Sequence, residues 1–153
     1  MNPNIVSFAE AAHQFCDYIE VAHTLDVDER IVIGASLLAS VYAWGLRLPD
    51  HVPTHEDEPL TNPDEVKTWR GFGELTLYWQ VPDPYDWGAP LNQSLSEDLL
   101  AVHWDVKRGL LAYERGFVEQ SVRDWRGSFP VWGAHAVDAL RALHRAIQLA
   151  KKG

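Results

Sequence analysis

At 153 residues, 46% hydrophobic and 23% charged, the chain has the length and balance of one ordinary globular domain, which excludes a disordered or fibrous protein. A net charge of −9 with no concentrated basic face excludes the usual nucleic-acid binder, because affinity for phosphates rests on clustered Lys and Arg. The single cysteine, Cys16, excludes an internal disulfide and fits a reducing compartment.

Met1 to Ser7 has neither the basic start nor the apolar run of a secretory signal, so a cytoplasmic protein is expected, with residues 1–153 forming one domain. Ser7-Phe8-Ala9-Glu10 has capping-box form and predicts a helix start, after which Phe8, Ala12, Phe15, Ile19 and Ala22 fall on one face. Asp26-Val27-Asp28-Glu29 predicts a second helix running to about Leu46. From Ile31 to Leu46 that helix is almost free of charge, yet it is shorter than the roughly 20 residues a bilayer needs. A central helix surrounded by the others is expected, with Gly34, Ala35, Ala39, Ser40 and Ala43 allowing close approach.

Pro49 to Pro59, with His51, His55, Glu56, Asp57 and Glu58, reads as an exposed acidic loop. Asn62-Pro63-Asp64-Glu65 predicts another helix, with a cap, a proline at the first position and acids at the positive end. Glu74 to Val81 is read as helix, although Thr76, Leu77, Tyr78, Trp79 and Val81 also suit a strand. Three prolines and a glycine then make Pro82 to Pro90 an irregular loop.

Ser94-Leu95-Ser96-Glu97 is the third capping box and opens the strongest helix, whose apolar stripe passes through Leu99, Val102, Val106 and Leu110. Arg115-Gly116 predicts its end. Trp125, Phe129, Trp132, Ala136, Ala139, Leu143 and Ala150 then form a long helical stripe, with a break or kink expected near Ser128 to Pro130. These elements add up to an all-α, single-domain bundle of about five to seven helices, without a sheet.

Three segments together resemble one bacterial family, the domain of unknown function 5063. They are Tyr78-Trp79-Gln80-Val81-Pro82-Asp83-Pro84, the helix from Ser94 through Leu110, and Trp132-Gly133 with His135-Ala136-Val137-Asp138-Ala139-Leu140-Arg141-Ala142-Leu143-His144. The resemblance implies an all-helical fold and brings no established activity. The family usually has an acid where this chain has Ala101 and a tyrosine where it has His103.

Two constellations carry chemistry. An aromatic and acidic surface is expected around Asp83, Tyr85, Asp86 and Trp87, joined by Trp125, Trp132, His135 and Asp138, which suits a non-catalytic interaction or adaptor module whose partner is another protein. The alternative is a metal-dependent hydrolase or small-molecule site in which Asp98 and Asp105 on one helix meet His135 and Asp138 on the next. Glu10-Ala11-Ala12-His13 and Glu20-Val21-Ala22-His23 have the Glu-x-x-His spacing of di-iron bundles, but both lie on one helix, about 80° apart. No glycine-rich phosphate loop, nucleophile elbow or zinc cysteine pair is present, so no cofactor is implied.

Overall fold

A computed structural model of the chain describes residues 1–50 and 59–152, so the expected acidic loop with His51 and His55 lies largely outside the described residues. Helix α1 spans Pro3–Val21 and begins earlier than Ser7 suggested. The Asn2 side chain accepts from the Asn4 backbone N–H at 2.8 Å, and Pro3 supplies a preset φ at the first helical position. The expected stripe is inward: Phe8, Ala12, Phe15, Ile19 and Ala22 are all fully buried.

Helix α2, Val27–Gly45, starts where its cap indicates, with Asp26 accepting from the Glu29 N–H at 2.9 Å. It is not the enclosed central helix its composition suggested. Ile31, Ala35, Leu38 and Val41 face the core, whereas Val32 and Ile33 are exposed. Its small residues do serve close packing: a Cβ added at Gly34 would collide with the Tyr18 ring, and one at Gly45 with Trp132. Arg30 is buried at the start of α2 and makes no ion pair among the described residues. Its guanidinium instead donates to the backbone oxygens of Ala22, Leu25 and Gly71, tying the α1–α2 turn to the chain that follows.

The helix expected from Pro63 does not form. Residues 59–72 carry no helix, because the run ends at Gly71 and Gly73 within too few residues to repay nucleation. Val66 and Trp69 dock on the core instead, Trp69 stacking edge-on against Tyr18 and Phe72. The reading of Glu74 to Val81 as helix is also overturned. A short 3-10 turn at Gly73–Leu75 leads into strand β1, Leu77–Gln80, which pairs antiparallel with β2, Leu91–Ser94, in the register Leu77 to Ser94 and Gln80 to Leu91. The β-forming side chains prevail here because Tyr78 and Gln80 alternate inward onto polar partners, which a helix could not arrange. The proline-rich loop is therefore the tip of a β-hairpin.

Helix α3, Leu95–Glu114, follows directly, with Ser94 capping it at the Glu97 N–H, and ends at Gly116, whose φ of 90° few other residues tolerate. Helix α4 runs for 35 residues, Val118–Lys152, without the expected break at Pro130. Pro130 faces solvent, so water can satisfy the carbonyl left without its N–H. The described chain thus holds four α-helices and a small hairpin, fewer helices than expected.

Helix α4 packs along α2 and α3, and α1 does the same from the other side. The core lies between them, where Phe8 of α1 meets Trp125 and Trp132 of α4 at ring distances of 4.5 and 5.9 Å. Each such ring removes about 150–250 Å² from water, a gross gain of about 4–6 kcal/mol. Among the described residues no helix is long and apolar enough to cross a membrane.

Candidate functional site

The hairpin sits against the α3–α4 pair through two polar clamps. Asp98, on the first turn of α3, is only 2% exposed. One of its oxygens accepts from the Tyr78 hydroxyl and the other lies 2.8 Å from His135 Nδ1. The contact fixes the orientation of the His135 imidazole against α3. Burial and the adjacent Asp98 push the Tyr78 hydroxyl well above the usual phenol range, so it remains a donor. Two residues along β1, Gln80 donates to Asp138 on α4. Burial raises the Asp138 carboxyl above its ordinary value, aided by the Asp98 charge and opposed by Gln80 and His135.

Of the four residues grouped for a metal or hydrolytic site, Asp98, His135 and Asp138 do gather under the hairpin. Asp105 is near enough to His135 to feel its charge, but its carboxylate is engaged by Arg108 at 3.4 Å, and Arg108 also holds Asp124 at 3.1 Å. Among the described residues no three His, Cys, Asp or Glu side chains are placed to hold a metal ion. The two Glu-x-x-His pairs do not assemble either. His13 pairs with Asp17 at 3.2 Å on its own helix, while Glu20 turns to His103 at 3.1 Å and Lys107 at 3.2 Å on α3.

The aromatic surface divides. Tyr85 and Trp87 are each 99% exposed on the hairpin tip, in a turn where Asp83 Oδ1 accepts from the Tyr85 N–H at 2.9 Å, and Asp86 belongs to the same turn. Trp125 and Trp132 do not share that surface. Both are fully buried, their indoles donating to the backbone oxygens of Val106 and Trp125 at 2.9 and 3.0 Å. Helical spacing of large aromatics here marks core, as the α4 stripe required. The side chains that extend the exposed surface are Leu77 and Trp79 on β1 and Val81 just past its end, which a helical reading of that segment hides. Their alternation with Tyr78 and Gln80 was the available signal.

Between β1 and the second half of α4 lies a groove of about 720 Å³. Leu77, Trp79, Val137 and Leu149 make much of it apolar, Tyr78, Gln80 and Asp138 add polar atoms, and Arg141 and Arg145 contribute positive charge; His135 is not part of its lining.

An all-helical frame carrying one aromatic hairpin is the class of protein these features define. The chain belongs to the family described as domain of unknown function DUF5063, which it matches over residues 1–148. A crystal structure of protein BF1032 from Bacteroides fragilis is similar in fold, with a TM-score of 0.77 at 19% identity over 95% of this chain and 92% of that one. Among curated proteins none matches.

Proposed function

We propose that this chain is a non-catalytic interaction module that recognises another protein through its β-hairpin arm. The observation that carries the reading is the exposure of Tyr85 and Trp87, each 99%, beside the exposed Trp79 and Val81 on the same hairpin. Aromatic side chains left in water cost free energy that a partner's surface would recover, and recognition concentrates in such anchors. The clamps from Tyr78 to Asp98 and from Gln80 to Asp138 favour the same reading, because they hold the arm in one position and reduce the entropy lost on binding. A photo-crosslinking residue at position 87, compared with one at the exposed Val32 of α2, tests it. Discrete adducts at 87 that are absent at 32 are expected; no adducts at 87, or the same ones at both positions, would overturn the proposal.

A second reading, a small-molecule or hydrolytic site on Asp98, Asp105, His135 and Asp138, draws support from the 2.8 Å pair of Asp98 and His135, which orients an imidazole as general bases are oriented. Metal analysis of protein purified without chelator separates a metal-dependent form of this reading from the first, since only it expects near-stoichiometric metal.

A further inference from the structure

We infer that the groove between β1 and α4 takes an extended acidic peptide, which adds to the outer edge of β1 as a third strand. The inference rests on the interaction reading above and names the partner's chemistry. Three features point to it.

The first is the strand edge. The Leu95 N–H donates to Thr76 O at 2.8 Å, which with the register of Leu77 to Ser94 fixes the alternation of the ladder. Tyr78 and Gln80 direct their N–H and C=O groups to β2, so those of Leu77 and Trp79 point away from β2, along an edge that no other strand among the described residues covers. Such an edge is a template for another chain.

The second is charge. In a protein of net charge −9, residues 139–153 hold no acid, whereas they hold Arg141, Arg145, Lys151 and Lys152. Arg141 and Arg145 line the groove and, among the described residues, neither makes an ion pair or hydrogen bond.

The third is spacing. Arg141 and Arg145 are four residues apart, so they stand about 6 Å apart along the axis of α4. Alternate residues of an extended chain lie about 6.6 Å apart and project to one side. Two acids separated by one residue would therefore each meet one guanidinium. Asp138 would repel an acid at its own end of the groove, which leaves that position to an apolar or basic residue.

The test uses the full chain on an array of random octapeptides, followed by fluorescence anisotropy on the strongest synthesised hit. Enriched peptides should carry the acid-x-acid pattern among β-branched or aromatic residues. The double variant Arg141→Glu/Arg145→Glu, whose melting is checked first because both residues are exposed, should weaken the hit at least tenfold. N-methylation of alternate peptide amides should abolish binding in one phase and spare it in the other, since only one set can pair with β1. No enrichment, enriched peptides without acids, indifference to charge reversal, or equal tolerance of both methylation phases would each overturn strand addition. Binding of dodecanoate at the groove with no peptide enrichment would assign it to a small amphiphile and likewise overturn the inference. Adducts at position 87 persisting through any of these failures would leave the hairpin reading standing, so the two can fail separately.

Discussion

Asp98 and His135, 37 residues apart, meet at 2.8 Å on facing turns of α3 and α4, and the Tyr78 hydroxyl completes the same carboxylate from β1. Three elements thus depend on one buried acid. Replacing Asp98 by Ala would leave the Tyr78 hydroxyl and the His135 ring nitrogen without their partner, at a cost of about 2–4 kcal/mol. Urea midpoints should record that loss, and proteolysis within residues 81–90 should quicken more than elsewhere. A midpoint equal to that of the parent would show that the clamp does not hold the arm.

Gly109 and Gly127 make opposite predictions on neighbouring helices. The Trp125 indole occupies the space a Cβ at Gly109 would need, so Gly109→Ala should destabilise by roughly 1–3 kcal/mol through overpacking. Nothing lies within 4 Å of a Cβ at Gly127, inside α4, and Gly127→Ala should raise stability by up to about 1 kcal/mol through helix propensity. Thermal melts of the two variants should move in opposite directions.

Stability should fall in acid through the cluster on α1 and α3. Burial lowers His103 below its ordinary 6.5, although Glu20 opposes this, so the unfolded chain takes up the proton first and stability declines as pH falls below 6.5. Glu20 lies below its ordinary 4.5 because hydrogen bonds from His103 and Lys107 outweigh its desolvation, and its contribution is lost as pH falls further, through its folded value. His103→Gln should flatten the stability profile as pH falls below 6.5. A slope unchanged from the parent there would assign the acid sensitivity to other groups.

The helical frame was legible where local signals agreed: Asp26 and Ser94 each cap the helix they announced, and the stripes through Phe15, Leu99 and Leu143 are buried. It failed where a tertiary partner decided the outcome. Leu77–Gln80 became a strand because Ser94 and Leu91 lie beside it and Asp98 and Asp138 beneath, none of which a local window contains. For the same reason the grouping of Asp98, His135 and Asp138 was legible from helix periodicity, while Tyr78 and Gln80, which complete it, were not. Residue type alone groups Trp125 and Trp132 with the hairpin, but their side of the helix assigns them to the core.

The most direct test of the hairpin as a recognition surface separates binding from stability. The partner first crosslinked at position 87 is offered to the intact chain, to Trp87→Ala and to Tyr85→Ala. With both side chains fully in solvent, the two variants should melt with the parent within error while losing at least tenfold in affinity. Unchanged affinity in both variants would contradict the account.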